Sequence, residues 1–295
     1  PGRGLRGAKL AEVTRTDAGH PSGHAVRHLA ARAARSWAVA GRLIGADGRL
    51  DIGTGLDPDA LAAGRERRIV RIDGETQKSQ AVLAEHLAVV WLTPEMDGLF
   101  IDGPGARRRF LDRLVYAAEP AHAGRVSAYE QAMRERSRLL AEAGAGADTG
   151  WLQALETSMA EKGIAVAWAR REMLGRLAKF LEGNPNSEPW PFPSAEVTLA
   201  GGPEGWLDHG PALAAEDAFR ARLAAERPID AADGRTRTGP HRTDMRVRLI
   251  ETGRDAEFCS TGEQKALMIT LVLAHARMQA AAERRPVLLL DEIAA

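Results

Sequence analysis

Near the end of the chain, Val287-Leu288-Leu289-Leu290 runs straight into Asp291-Glu292. A bare apolar run of this kind suits a strand buried on both faces. Acids at its carboxyl end then stand where open α/β sheets place their ligands. An aspartate there can support a Mg2+ ion and its water shell, and a glutamate beside it can orient or deprotonate an attacking water. The same residues also read as a strand that ends in a solvated turn. Upstream, Cys259-Ser260-Thr261-Gly262-Glu263-Gln264 opens a helical stretch. Ser260 and Glu263 have the spacing of a capping box, which alone would make this a well-capped helix. The same geometry leaves main-chain N–H groups free at the helix start, with no Cβ at Gly262, and so suits a phosphate. A glycine-bearing helix start, one helix and an acid-tipped strand in that order are more specific than either part.

Arginines supply the other candidates. Arg107, Arg108 and Arg109, with Arg113, sit at another helix start, and Arg235, Arg237, Arg242, Arg246 and Arg248 form a second group. DNA phosphates would suit either group; a solvated face paired with nearby acids is the other reading. An arginine in a first helical turn opposes the helix dipole, so Asp112 is the expected partner of Arg107. Arg242, beside His241, is the arginine assigned a structural or nucleotide-proximal role. Gly2-Arg3-Gly4-Leu5-Arg6-Gly7 has dinucleotide-loop spacing but no strand before it. His20, His24 and His28 are four apart, but Gly19, Pro21 and Gly23 argue against a helix that would turn them to a metal. No G-x-S-x-G occurs, so nucleophilic hydrolase chemistry has no support.

The elements that must position these residues fall into three stretches. Ala8–Val13 reads as a short helix and Gly19–Gly23 as a loop. Ser36–Gly45, Arg49–Gly55 and Arg67–Asp73, with Asp47-Gly48 and Asp73-Gly74 turns, predict an antiparallel meander. Ser79–His86 reads as helix and Leu87–Leu92 as a fully buried strand. From Pro104 to about Phe180 the period is helical, broken once at Gly144–Gly150. Asn184–Pro193 is a stop, Ala195–Ala200 a strand and Pro211–Arg227 a helix. Arg235–Thr238, Met245–Ile250 and Asp255–Cys259 have strand character. A helix from Thr261 to about Glu283 then leads to the Val287–Leu290 strand. Sheet, helices and sheet in sequence suggest one α/β domain with a helical insertion.

Composition bounds the function classes. At 295 residues, 44% hydrophobic and 27% charged, the chain can build one large or two modest domains without disulfide or metal staples. Forty basic residues balance forty acidic ones, which excludes a uniformly basic nucleic-acid glove and leaves room for a local basic face. The single cysteine, Cys259, excludes a disulfide framework and a Cys-based zinc site, and fits a reducing compartment. No run of ~18 apolar residues could cross a membrane, and no signal peptide opens the chain.

Ser260-Thr261-Gly262-Glu263-Gln264 resembles the signature motif of ABC-type ATPases, and Asp291-Glu292 resembles the end of their Walker B strand. Three further stretches are similar to one branch of that superfamily, the RecF family of bacterial DNA replication and repair. They are Pro1-Gly2-Arg3-Gly4-Leu5-Arg6; Thr93-Pro94-Glu95-Met96 leading to Arg107-Arg108-Arg109-Phe110-Leu111-Asp112; and Thr238-Gly239-Pro240-His241-Arg242-Thr243-Asp244. Their order and spacing cover nearly the whole chain. Cys259 and Thr243 depart mildly from the family pattern, and no glutamine loop follows Leu87–Leu92.

The resemblance implies an α/β fold, the ABC-type ATPase head: a mixed sheet plus helices, with an inserted helical lobe. Residues 1–101 and 229–295 would form the ATPase lobe and 102–228 the insertion. It implies ATP and Mg2+ as cofactors, Asp291 toward Mg2+ and Glu292 toward the attacking water. Ser260, Thr261, Gly262 and Gln264 would bind ATP in trans, across a homodimer. His241 and Arg242 would lie near the nucleotide, and Arg107, Arg108 and Arg109 on DNA. It further implies gapped or double-stranded DNA, RecR and RecO as partners, recombinase loading, a weak DNA-dependent ATPase and a cytoplasmic setting. The family's G-x-x-x-x-G-K-[ST] phosphate loop, its D-loop and its histidine switch are not in these residues. The chain therefore reads as a fragment that would not hydrolyse ATP by itself. An SMC-type structural ATPase and a non-enzymatic DNA-binding scaffold are the alternatives. The insertion is too short for a long SMC coiled coil.

Overall fold

The computed structural model describes residues 10–13, 37–45, 48–144, 147–181, 191–208, 210–283 and 286–291. Contacts divide the chain into two units, Pro1–His86 and Leu87–Ala295.

The first unit holds the meander. Strands β1 (Ala38–Gly45), β2 (Gly48–Leu56), β3 (Arg68–Ile72) and β4 (Glu75–Thr76) follow one another in an antiparallel sheet of order β1-β2-β3-β4. Asp73 and Gly74 both take positive φ, 49° and 85°, which fits the two-residue Asp-Gly turn between β3 and β4. Asp57 stops β2 and caps helix α1 (Pro58–Ala62), accepting from the Asp59 and Ala60 amides. Helix α2 (Leu83–His86) ends the unit.

The second unit carries the candidate residues. Its helices are α3 (Pro104–Ala118), α4 (His122–Ala143), α5 (Thr149–Leu181), α6 (Ala212–Asp233) and α7 (Thr261–Ala281). Strands β5 (Val89–Leu92) and β9 (Val287–Leu290) pair in parallel, while β6 (Ala195–Ala200), β7 (Asp244–Leu249) and β8 (Arg254–Asp255) form an antiparallel sheet. Helix α7 is buried on nearly every side, with Leu267, Met268, Leu271, Val272 and Ala274 closed from solvent. Such a helix is apolar all round because it is the centre of its domain. The apolar cluster around it takes in β5, α3, the carboxyl half of α5 and the β6–β7 sheet. The amino half of α5 enters a separate cluster with Tyr129, Phe219 and Leu223 from α4 and α6. At ~1.5 Å per residue, the long α5 is the rod that runs through both.

Several boundaries differ from the sequence expectation. The helical stretch breaks a second time at Glu119–Ala121, because the residue before Pro120 is pushed out of helical geometry. Conversely, α6 continues through Pro228 to Asp233 and stops at Gly234, which takes a left-handed φ of 65°. Residues 235–238 form no strand, and Asp255–Cys259 is one bridge followed by a 3-10 turn, Ala256–Phe258. The β9 side chains are 41–55% exposed rather than buried on both faces. Among the described residues β9 pairs only with β5, which covers one edge and neither face.

Candidate functional site

Ser260 is the residue where chain direction and chemistry meet. Ala256 and Cys259 are buried and anchor the turn before it, so Ser260 is held at the exposed start of the buried α7. Its Oγ accepts from the Glu263 amide at 3.3 Å, and the Glu263 carboxylate accepts the Ser260 amide at 2.7 Å. This is the capping box that the spacing foretold. Those bonds, together with the Arg254 guanidinium nearby, hold the Glu263 carboxyl below its ordinary range. The box consumes the amides of Ser260 and Glu263 and leaves those of Thr261 and Gly262, both exposed, as the orphan donors of the helix start. The Ser260 hydroxyl is itself engaged with Glu263: it accepts from the Glu263 amide and lies in hydrogen-bond reach of the Glu263 carboxylate. A Cβ at Gly262 would meet nothing within 4 Å of the same chain. The arrangement can therefore offer an anion two amides from outside. Gln264 is corrected: it is buried, and its Nε2 donates inward to Cys259 O at 3.0 Å, so its amide group braces the turn.

Asp291 closes β9, exposed, with its own amide donating to Leu92 O at 3.0 Å. An exposed carboxylate at the carboxyl end of a parallel strand pair is the right donor type and place for a hydrated divalent cation. Glu292 lies outside the described residues. Among the described residues no hydrogen bond joins Asp291 to Ser260, Thr261 or Gly262.

The two arginine-bearing stretches do something else: they bind each other. Arg107 at the start of α3 donates to both oxygens of Asp244 at 2.7 and 3.0 Å, and also to Phe100 O and Asp102 O. Its partner is thus Asp244, not Asp112. Asp112 instead receives a bidentate contact from Arg170 at 2.8 and 2.9 Å and the His122 ring at 2.8 Å. Arg170 reaches on to Pro240 O, and Arg108 to Thr243 O. Arg113 lies over the rings of Trp91 and Phe110, and burial lowers its pKa to about 10. Arg107 and Arg108, expected on DNA, are thereby internal fasteners; Arg109 alone of the three is exposed, as is Arg242.

His241 is likewise committed. Its Nε2 faces Thr236 O at 2.9 Å and its Nδ1 the Tyr129 hydroxyl at 2.7 Å. A carbonyl can only accept, so Nε2 carries the proton and Nδ1 accepts from Tyr129. Burial holds the ring neutral, with its pKa lowered to about 4. A nucleotide-proximal His241 would have to break both bonds. Gly239, φ 143°, is what lets this turn close: a Cβ there would fall 2.2 Å from the Tyr129 hydroxyl.

Sequence reasoning missed Arg136. This wholly buried guanidinium joins Glu156 at 3.0 Å, Asp230 at 2.7 Å, Thr236 at 3.1 Å and Leu223 O at 2.7 Å, tying α4, α5 and α6 together. Helical arginines are usually solvated, and nothing in its neighbours' types marks this one as buried.

Compared with known proteins, the chain matches no family model. It does match curated proteins from end to end. A DNA replication and repair protein RecF from Rhizobium rhizogenes is 47% identical over 296 residues, covering 100% of this chain and 73% of that protein. The RecF proteins of Agrobacterium fabrum and Mesorhizobium japonicum are 46% and 45% identical, with 73% and 72% of their lengths covered. The chain belongs to the RecF family. Two solved structures of the recombination mediator protein RecF of the RecFOR pathway share its fold. The RecF-ATPrS structure has a TM-score of 0.77 at 21% identity, covering 98% of this chain and 72% of that one. The RecF-ATP structure has a TM-score of 0.72 at 22% identity, covering 88% and 67%. The fold is thus that of these RecF structures, mixed sheets with helices, and the family is one of DNA replication and repair. No described helix is long and apolar enough to cross a membrane.

Proposed function

We propose that this chain forms most of an ATP-driven dimeric DNA clamp, in which the start of α7 binds the nucleotide held by a partner subunit. The observation that carries this reading is the capping box. It saturates itself, yet leaves the Thr261 and Gly262 amides open at the positive end of a buried helix. The solved relative bound to ATP supports the nucleotide. Asp291 would hold Mg2+ through water, and Glu292 would serve the attacking water. Bound Mg2+ would supply neutralisation of phosphate charge; the chain's own part is to position and donate. Hydrolysis would loosen the dimer and release DNA. Gapped or double-stranded DNA, recombinase loading, RecO and RecR as partners, and a cytoplasmic setting complete the proposal.

The test uses the full-length protein, with gapped duplex DNA and sedimentation in the presence and absence of ATP. Ser260→Arg should bind ATP as a monomer yet fail to dimerise with it, since a side chain would fill the space left for phosphate. ATP-driven dimers of normal strength in Ser260→Arg would sink the trans contact. DNA binding indifferent to ATP would favour a plain scaffold.

A further inference from the structure

The β1–β2 hairpin outruns its sheet. Strand β2 pairs with β3 only from Ile52 onward, so Gly48–Asp51 and Arg42–Gly45 pair with each other alone. Four residues of strand carry this ribbon about 14 Å past the last β2–β3 pair. Residues directly opposite share a face, and the face alternates along each strand. Arg42 stands opposite Asp51 and Ile44 opposite Arg49, so all four lie on one face. Ala40, Gly53 and Arg71 continue that face toward the sheet. Ile44 is 85% exposed, the most open of the large apolar side chains among the described residues. Asp51 holds the two nearest guanidinia in place, accepting from Arg42 at 2.8 Å and from Arg49 at 2.6 Å. Arg71 is exposed and has no ion pair among the described residues. A groove of about 470 Å³ lined by Arg42, Asp51 and Arg71 has only the small Ala40 and Gly53 as its floor on that face.

We propose that this ribbon kinks duplex DNA: Ile44 wedges between two base pairs from the minor groove while Arg42, Arg49 and Arg71 take phosphates beside it. The inference rests on the DNA-clamp reading and adds to it a change in the shape of the DNA. Apolar side chains on protruding elements unstack a base step when cations beside them hold the backbone. Three observations favour a nucleic-acid strand over a protein surface. The face carries three arginines against the carboxylates of Asp51 and Asp73, so it keeps positive charge where phosphates would lie. Its floor at Ala40 and Gly53 is nearly bare, so a sugar–phosphate strand can lie along it with no side chain in the way. Ile44 has no apolar neighbour on its own face, because Arg42 and Arg49 flank it, whereas a protein-docking patch gathers apolar side chains at its centre.

The experiment uses the full-length protein and a short duplex with donor and acceptor dyes at its two ends, beside anisotropy for affinity and a thermal melt. Binding of the parent should bring the ends together through a kink of about 20–90°. Ile44→Ser should bind within about tenfold of the parent yet leave the duplex straight. Ile44→Phe, which keeps a wedge, should bend it. Arg71→Ala should weaken affinity and lower its salt dependence by about one ion, with the bend intact at saturating protein. None of these should move the melting temperature, since both side chains are exposed. A parent that binds the duplex and leaves it straight, or an Ile44→Ser variant that bends it as the parent does, would overturn the wedge alone. Failure of the parent to bind duplex DNA, with or without ATP, would bring down the DNA reading on which it stands.

Discussion

Two regions drew attention in the sequence for the same reason, clustered polar residues at helix starts, and the structure uses them in opposite ways. At the start of α3, Arg107 and Arg108 spend their donors on Asp244 and Thr243 of the same chain. At the start of α7, the capping box spends the amides of Ser260 and Glu263 and leaves the two between them open. The first region fastens the two most distinctive sequence segments, 107–112 and 239–244, to each other. The second faces away from its own domain. A charged motif is thus no measure of a ligand site until its partners have been counted. Saturated groups report on folding, and unsatisfied groups at a fixed, exposed place report on binding.

If the internal networks are fasteners, breaking one should cost stability on the scale of a buried ion pair. Arg136→Met leaves Glu156 and Asp230 buried with a cation removed, although Arg227 still touches Glu156. The expected loss is ~3–5 kcal/mol, read by urea denaturation of the full-length protein. A loss under ~1 kcal/mol would mean the acids find water or protons cheaply, and that this network is not what holds α4, α5 and α6 together.

Acid probes the same distinction without mutation. His241, half-buried, and His275, buried, both have pKa values lowered to about 4, by desolvation first. Each binds its proton more readily in the unfolded chain, at an ordinary value of ~6.5. Their contribution is therefore complete above pH ~6.5 and is lost as the pH falls toward 4. Each could cost up to ~3 kcal/mol over that window. The melting temperature should fall across it, and His275→Gln should flatten the decline. An equal decline in that variant would place the acid sensitivity elsewhere.

Much of this architecture was legible in the residues. The Asp73-Gly74 turn, the Ser260–Glu263 box and the strand character of Met245–Ile250 are local, and local rules settle them. What escaped depends on contacts far apart in sequence. Pro228 reads as a helix stop, yet α6 runs through it, with the buried Asp230 beyond it bonded to Arg136. Asp112 is nearer than Asp244 in sequence to Arg107, but the fold brings β7 to the start of α3. Gln264 belongs to a motif that favours ligand contact, while its rotamer is set by a carbonyl one turn back. The bare apolar β9 predicted burial, but burial needs neighbours on both faces, and among the described residues β9 has only its parallel partner β5.

The smallest stability effect is expected from the sharpest pair. Arg107 and Arg109 are two residues apart, and composition cannot tell them apart. Arg107→Ala strands a partly buried Asp244 and should cost ~1–3 kcal/mol. Arg109 is exposed with no ion pair among the described residues, so Arg109→Ala should stay within ~0.5 kcal/mol of the parent. DNA binding reverses the order. If Arg109 meets a phosphate, its loss should reduce the salt dependence of binding by about one ion and weaken affinity without regard to base sequence. Arg107→Ala, where it still folds, should leave that slope unchanged, because its guanidinium was never free to release a counterion. A slope that moves with Arg107 and not with Arg109 would show that the clamp at α3 opens to bind DNA, and the division between fastening and binding regions would have to be redrawn.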